Sequence, residues 1–254
     1  METTKVSLYS RNRIYISDEE QERIRNYRIL VGGVGLGSGI VECALRLGFE
    51  NICVIDGDCV EESNLNRQNY LMSDIDELKT KSIYNRLKAI NQNANITYHS
   101  IFLTEENLED YVSLDAYDIA INALDFTSNV PFLFDDVCLN HNIPILHPYN
   151  LGWAGCVFII NRESLKLNTF YDTCEGFEAY FVSYVITHLK HLNNRKKWLE
   201  EVLEAYSLEN RELSPPQLAV ASWIVAGMCT NILFNIATGK NIKLFPEFYF
   251  ASIM

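Results

Sequence analysis

The sequence predicts an α/β protein with a doubly wound, mainly parallel sheet, and two observations near its N-terminal end indicate this. An apolar run at 29–31 ends in a glycine-rich loop at 32–37, and an amphipathic helical pattern follows. A second apolar run at 51–55 ends in Asp56. Strand, glycine loop, helix, strand and acid in this order predict a nucleotide site. The glycines let the backbone approach a phosphate, the helix N-terminus offers free N–H groups, and the acid binds ribose hydroxyls.

The glycine loop by itself leaves the class of nucleotide enzyme open. NAD-dependent oxidoreductases carry the same unit. The spacing departs from G-x-G-x-x-G because Val34 stands where the second glycine belongs, and the glycines also form an alternating set, Gly33, Gly35 and Gly37.

The segment after Asp56 discriminates between these classes. Asp58 follows at once, and Asn64, Arg67 and Gln68 crowd the next stretch. An arginine here suits an enzyme that works on a phosphate, since its guanidinium neutralises phosphoryl oxygens in a fork geometry. A dinucleotide enzyme has no chemical need for it.

This stretch resembles the D-x-D…S-N-L-x-R-Q pattern of the ubiquitin-activating-type (ThiF–MoeB–HesA) adenylating enzymes, which include the bacterial sulfur-carrier activators of molybdopterin and thiamine synthesis. The similarity runs from Tyr9 to about Val157, with a weaker echo near the C-terminus. It implies a Rossmann-like fold with ATP and Mg²⁺ as cofactors. The residues it implies for nucleotide binding are Gly33, Gly35 and Gly37 around the phosphates, Asp56 on the ribose, Asn64, Arg67 and Gln68 on phosphate oxygens, and Asp58 as a loop-structuring residue.

The N-terminal stretch, which precedes a helix predicted at 18–26, has two interpretations. Arg11 and Arg13 are either a solvated basic arm or, by resemblance, part of a Y-x-R element that places an arginine in the ATP site of a partner subunit. Arg11 matches that position and Arg13 is the second candidate. An arginine acting in trans on a phosphate chain has an established mechanism, and it implies a homodimer.

Two lysines lie in the first turn of a helix predicted from about Leu78 to Ala89. Cations are electrostatically misplaced at a helix N-terminus, so a nearby ligand anion would explain them. Lys81 matches the phosphate-binding lysine of the family, and Lys79 is then a surface residue. The Gly and Pro that usually precede this lysine are absent here, where 78–80 reads Leu-Lys-Thr.

Asp125 ends the fourth predicted strand, at 117–124. The carboxyl ends of parallel strands form the ligand crevice, and a carboxylate there suits Mg²⁺, which takes one or two carboxylates together with phosphate oxygens. The resemblance implies this metal role. The alternative is that Asp125 or Thr127 is the N-cap of the next helix, predicted at 127–140.

The other predicted elements complete the sheet. Strands are predicted at 96–102 and 143–146, and the second of these ends in His147, which we interpret as a structural residue. A further strand is expected at 152–160, where the sheet of the family turns antiparallel.

The C-terminal half departs from the well-studied family members, and we expect one domain, 1–254, with a helical insertion at 161–213. Two apolar stripes predict a helical hairpin and are interpreted as core or dimer contacts. They comprise Phe177, Phe181, Val185, His188 and Leu192, then Trp198, Val202, Leu203 and Tyr206.

The cysteines of this half give two expectations. Cys156, Cys174 and Cys229 are too widely spaced for a structural zinc site, so no zinc is expected. Cys174 is a possible nucleophile, because some relatives keep a thioester- or persulfide-forming cysteine here. The acids at 172 and 175 oppose that role, since negative charge raises a thiol pKa.

A long apolar segment, 218–237, closes the chain, followed by a predicted strand at 242–245. It is as long as a spanning helix. Its polar residues, the prolines before it and Gly239 after it favour a buried core helix and no membrane partner.

The bulk composition restricts the partners and the compartment. The net charge of −12 disfavours nucleic acid, which needs a basic face. Seven cysteines cannot all pair, so reduced thiols are expected. The N-terminal segment lacks an apolar signal-peptide core, and together these features predict a cytoplasmic protein.

The predicted reaction is adenylation of the C-terminal carboxylate of a ubiquitin-like or sulfur-carrier protein or peptide, with release of pyrophosphate. The attacking carboxylate is already ionised, so positioning and neutralisation of charge are required rather than a general base. Three alternatives stay open: adenylation of a modified nucleoside on tRNA, an NAD-dependent oxidoreductase, and a non-catalytic docking subunit of a heterodimeric activating enzyme.

Overall fold

The fold is built on one mixed sheet of seven strands in the order β3-β2-β1-β4-β5-β6-β7. The computed structural model describes residues 8–171, 173, 176–209 and 214–254. The strands are β1 Arg28–Gly32, β2 Asn51–Ile55, β3 Asn95–His99, β4 Ile119–Asn122, β5 Ile145–Asn150, β6 Ala154–Ile160 and β7 Tyr249–Ser252. The helices are α1 Asp18–Asn26, α2 Gly37–Leu47, α3 Lys79–Ile90, α4 Leu108–Val112, α5 Val130–Asn140, α6 Leu167–Phe170, α7 Phe177–His191, α8 Lys197–Ser207 and α9 Ala219–Ala237.

Strand pairing confirms the predicted fold class. Strands β3, β2, β1, β4 and β5 pair in parallel, and β6 and β7 add antiparallel pairs at one edge. In register, Gly32 stands opposite Ile55 on one side and Asn122 on the other. The carboxyl ends of β1, β2 and β4 therefore lie level, and the loops that follow them meet at one edge of the sheet.

Both faces of the sheet are covered, which is why its central strands are continuously apolar. In β1, Ile29 and Val31 pack into a cluster with α2, α3 and α9, whereas Leu30 packs into a second cluster with α5 and α7. The two clusters pack the strands between helical layers, and the loops at the carboxyl edge extend from this buried base.

Helix α9 is long and apolar enough to span a membrane by length and composition, and 50% of its most apolar window is buried. It packs against α2 and β6. This packing is that of a core helix.

Two details of the C-terminal half differ from the sequence expectations. The closing strand lies at Tyr249–Ser252, where it pairs with β6, and not at 242–245. The α7–α8 hairpin forms as expected, but Leu192 is 64% exposed and Leu199 is the buried residue of α8. The residues of the predicted α8 stripe face the cavity described next.

Candidate functional site

A cavity of about 540 Å³ opens at the carboxyl edge of the sheet. Its floor is formed by the loops after β1, β2, β4 and β5, and its walls are the α7–α8 hairpin and the segment 215–218. The predicted site residues that line it are Gly33, Gly35, Asp56, Asp58, Arg67, Gln68 and Asp125. The parallel register thus brings together side chains from four separate parts of the chain.

The glycine loop brings backbone to the cavity surface at Gly33. Its φ of +84° belongs to the left-handed region, and a Cβ there would clash with the carbonyl oxygen of Ala123. Gly35 also lines the cavity, where a Cβ would come within 3.2 Å of the Gln68 side chain. Gly37 lies outside the cavity, in the first turn of α2 against Val31.

Asp56 organises the loop through both of its carboxylate oxygens. Oδ2 accepts the N–H of Val34 and Oδ1 accepts the N–H of Asp58, each at 2.8 Å. Burial raises the pKa of Asp56, and these two N–H donors act against that rise. The carboxylate keeps free lone pairs that face the cavity, as a ribose acceptor needs.

The two lysines of α3 lie in the opposite places from those that the sequence suggested: one is in the cavity and the other is at the surface. Lys79 is only 8% exposed, lines the cavity and pairs with Asp58 at 2.8 Å. Lys81 points to solvent and pairs with Glu77 at 2.8 Å. Residues two apart lie on different sides of a helix, so only one of them reaches the site. The two lysines at the start of α3 do not require a ligand anion to explain them, because the carboxylates of Asp58 and Glu77 already pair with them.

Arg67 lines the cavity with its guanidinium held by protein oxygens. Nε donates to Gln217 Oε1 at 2.7 Å, and Nη1 donates to the Ser63 carbonyl and to Asn66 Oδ1 at 2.9 Å each. These bonds tie the loop after β2 to the segment before α9. Asn64 instead accepts the N–H of Glu61 at 3.1 Å and is not part of the lining.

Gln68 leaves an acceptor unused. Its Oε1 is buried without a hydrogen-bond partner among the described residues, although the side chain lines the cavity beside Gly35. A donor from a bound nucleotide would satisfy it.

Asp125 follows β4 and faces the cavity, and no described residue hydrogen-bonds to its carboxylate. Burial raises its pKa, while the charges of Lys79 and Arg67 lower it. The N-cap of α5 is Asn129, so Asp125 and Thr127 do not cap that helix. Within the described ranges no group of three His, Cys, Asp or Glu residues is arranged for a metal. A lone free carboxylate beside a phosphate site nevertheless fits Mg²⁺.

Two other residues singled out in the sequence, His147 and Arg11, lie outside the cavity. His147 is 1% exposed, and its Nε2 lies 2.9 Å from Asp135 Oδ1, which is the structural placement expected of it. Arg11 is exposed in a short 3₁₀ helix, where no described residue contacts its guanidinium. Cys174 lies outside the described residues. Of the six cysteines described, all are free and none lines the cavity.

The hairpin supplies lining residues that sequence analysis assigned to the core. On α8 these residues lie beside the buried Leu199 and form the far wall of the cavity. One charged residue, Glu178, stands among them, and a charge between Phe177 and Phe181 in an aromatic stripe was the available signal. The hairpin residues that line the cavity are Glu178, Ala179, Phe181, Val182, Trp198, Leu199, Val202, Leu203 and Tyr206.

Glu178 is partly buried and has no hydrogen-bond or ion-pair partner among the described residues. Burial, and then the charge of Asp125, raises its pKa from 4.5 to about 7. The folded state therefore binds this proton more tightly than the unfolded state does. The penalty of the ionised carboxyl group accordingly grows as the pH rises from about 4.5 to about 7.

Replacing Glu178 by Gln should raise the free energy of unfolding, by about 1–2 kcal/mol more at pH 8 than at pH 5. Denaturant unfolding at the two pH values measures the difference. Glu204→Gln, on the exposed side of α8, removes the same charge and should change stability little at either pH. Equal effects of Glu178→Gln at both pH values would contradict the assignment of an unpaired carboxylate.

Two sequence relatives share part of this chain. The probable molybdopterin-synthase adenylyltransferase of Gracilaria tenuistipitata var. liui is 30% identical over 151 residues, which is 59% of this chain and 42% of that protein. The tRNA threonylcarbamoyladenosine dehydratase of Haemophilus influenzae is 36% identical over 145 residues, 56% of this chain and 53% of that one. The chain thus aligns with about half the length of these relatives.

Solved structures share the fold over nearly the whole chain. E. coli MccB, crystallised with AMPCPP and MccA, superimposes with a TM-score of 0.68 at 17% identity, over 98% of this chain and 71% of that one. E. coli tRNA N6-threonylcarbamoyladenosine dehydratase, TcdA, gives 0.66 at 18% identity, over 92% and 95%.

A family model also matches nearly the whole chain. The model of the ThiF family covers residues 9–254, including the glycine loop, the cavity and the hairpin. The protein therefore belongs to the ThiF family.

Proposed function

We propose that this protein uses ATP to adenylate the C-terminal carboxylate of a ubiquitin-like or sulfur-carrier protein or peptide and releases pyrophosphate. One observation carries the proposal: a single cavity joins the glycine loop and Asp56 to Arg67, Lys79 and Asp125. Two relatives support it: the Gracilaria protein, named a probable molybdopterin-synthase adenylyltransferase, and a protein of Haloferax volcanii named SAMP-activating enzyme E1.

Nucleotide binding follows from the loop and its acid. The backbone at Gly33 and Gly35 approaches the phosphates without side chains in the way, and the start of α2 presents unpaired N–H groups to them. Asp56 accepts the ribose hydroxyls with the lone pairs left free by Val34 and Asp58.

The chemical step is limited by repulsion between a carboxylate and a triphosphate. Arg67 and Lys79 are the arginine and lysine that line the cavity within the described chain, and we assign them to phosphate oxygens. Lys79 thereby takes the role that the sequence suggested for Lys81. Because protein oxygens already orient Arg67, little reorganisation is required when negative charge develops.

Asp125 would hold Mg²⁺, with Asp58 the second carboxylate in the same cavity. When bound, the ion supplies positive charge to the phosphate oxygens.

The charges of one chain are insufficient for this task. Arg67 and Lys79 face four carboxyl groups in the cavity lining, those of Asp56, Asp58, Asp125 and Glu178. A further cation is needed, and we propose Arg11 of a second copy in a homodimer. Arg11 is exposed and outside its own cavity, and the neighbouring Ile14 and Tyr15, 95% and 88% exposed, offer apolar surface for contact.

A mixing experiment tests the trans role. Arg11→Ala and Asp125→Asn should each be inactive alone, but a 1:1 mixture of refolded or co-expressed chains should recover about a quarter of wild-type activity. Half of the dimers are then hybrids, each with one complete site. Recovery is absent if Arg11 acts on its own chain, and Arg11→Ala is active without mixing if Arg11 has no role in the site.

The substrate class is the finer part of the proposal. A net charge of −12 favours a protein or peptide over nucleic acid. The similarity to the Haemophilus tRNA threonylcarbamoyladenosine dehydratase keeps a modified nucleoside on tRNA as the second candidate.

ATP–pyrophosphate exchange against a substrate panel separates the candidates. Exchange that depends on a ubiquitin-like or sulfur-carrier protein, or on a peptide carboxylate, is the expected result. Exchange with tRNA alone would transfer the proposal to the second candidate. Absence of exchange together with measurable NAD binding would favour an oxidoreductase, and absence of both would favour a docking subunit.

A further inference from the structure

We propose that the hairpin end of the cavity is a subsite for a positively charged group of the substrate, an ammonium or guanidinium, bound by Glu178 within aromatic walls. The inference deepens the proposed function, since it concerns the acyl substrate of the same site. It rests on the contents of the cavity beyond the nucleotide residues.

The first observation is an unpaired anion in a confined space. Glu178 begins the α7 side of the wall and has no described hydrogen-bond or ion-pair partner. Lys79 pairs with Asp58 and Arg67 donates to Gln217, and neither forms an ion pair with Glu178. A partly buried carboxylate without a partner is costly, and a ligand cation offsets that cost.

The second observation is the composition of the walls around this carboxylate. Aromatic faces attract cations, and ammonium ligands are recognised by aromatic cages. Two of the lining aromatics, Tyr149 and Phe181, lie with ring centroids 4.1 Å apart. The aromatic residues of the lining are Phe102, Phe126, Tyr149, Trp153, Phe181, Trp198 and Tyr206.

The third observation is that, besides Gln68 Oε1, two polar atoms of the lining residues are buried and unsatisfied. They are the Tyr149 hydroxyl oxygen and Trp198 Nε1, neither of which has a hydrogen-bond partner among the described residues. The hydroxyl accepts a hydrogen bond from an ammonium, and the indole N–H donates to a carbonyl. A peptide end with a cationic side chain supplies both an ammonium group and a backbone carbonyl. A peptide end with an apolar side chain supplies only the carbonyl, which satisfies the indole alone.

Equilibrium binding tests the subsite without requiring turnover. The probes are N-acetyl-Gly-Gly-Lys and its uncharged isostere N-acetyl-Gly-Gly-norleucine, titrated against the intact protein with AMPCPP and Mg²⁺ present. Trp153 and Trp198 in the wall give a fluorescence readout. The lysine peptide should bind about 10-fold more tightly than the norleucine peptide.

Variants assign the preference to Glu178. Glu178→Gln should abolish the preference for lysine while leaving the affinity for norleucine unchanged, and Glu178→Lys should reverse it in favour of N-acetyl-Gly-Gly-Glu. Glu204→Gln, exposed on α8, should behave as wild type.

Equal or tighter binding of the norleucine peptide would overturn the inference, as would absence of binding by both peptides. An equal loss of both affinities in Glu178→Gln would also overturn it, because it would indicate a structural role. None of these results depends on pyrophosphate exchange. The proposed adenylation can therefore fail while the subsite stands, or stand while the subsite fails.

Discussion

Replacement of Lys79 by Met is expected to lower ATP–pyrophosphate exchange by about 10²–10³-fold, because a preorganised cation on developing phosphate charge has that effect. Lys81→Met should change exchange by less than about 3-fold, since that side chain lies outside the cavity and its pair with Glu77 is exposed. The two variants remove the same charge from the same helix. Their comparison separates a local effect on the phosphates from a general effect of charge.

Steady-state exchange at saturating and limiting ATP measures the two effects. Loss of the Lys79–Asp58 pair also perturbs structure, so the unfolding midpoint of each variant should be recorded and Lys79→Arg tested for partial recovery. A large loss in Lys81→Met with a small loss in Lys79→Met would contradict the assignment and restore the position suggested by the sequence.

Asp125→Asn is expected to reduce exchange by about 10³-fold, or about 4 kcal/mol of transition-state stabilisation. The amide keeps the shape of the side chain but removes the charge that we propose holds Mg²⁺. Burial raises the pKa of Asp125, so the variant should be at least as stable as wild type and the loss should not reflect unfolding.

Titration of Mg²⁺ at fixed ATP checks the metal role of Asp125. The variant should need more Mg²⁺ for its residual activity. Asp110→Asn, an exposed acid of α4, should leave exchange unchanged. An unaltered dependence on Mg²⁺ in an inactive Asp125→Asn would show that the carboxylate acts in another way.

The nucleotide end of the site was predictable because it is built from local patterns. The apolar run, glycine loop, helix and acid of 29–56 determine β1, α2 and β2 with little tertiary input, and α1 begins at Asp18 behind a Ser17 capping box. Parallel register then brings Asp125 to the same edge as Gly33 and Asp56, as the strand-end rule predicts.

The phosphate role of Lys81 stays a prediction, but the structure places Lys79 in the cavity instead, for a definable reason. Spacing carried from a resemblance assumes the same helix start, and here α3 begins at Lys79 itself. A difference of two residues turns the side chain from the cavity to solvent. The sequence showed that 78–80 departs from the family pattern, but it did not show which of the two lysines would therefore face the cavity.

The only sequence signal for the cavity wall contributed by the hairpin was the charge of Glu178 within an aromatic stripe. An apolar stripe such as that of α8 shows which side of a helix avoids water, not whether that side meets a core or an open pocket. The position of β7 was missed for a related reason, because edge pairing with β6 at 249–252, and not local pattern, decides where the last strand forms.

A crystal structure with AMPCPP and Mg²⁺ tests the central claim most directly. The account predicts a nucleotide in the cavity, with its ribose at Asp56 and its phosphates within hydrogen-bond distance of Arg67 and Lys79. A nucleotide bound elsewhere, or phosphates directed away from both cations, would contradict it.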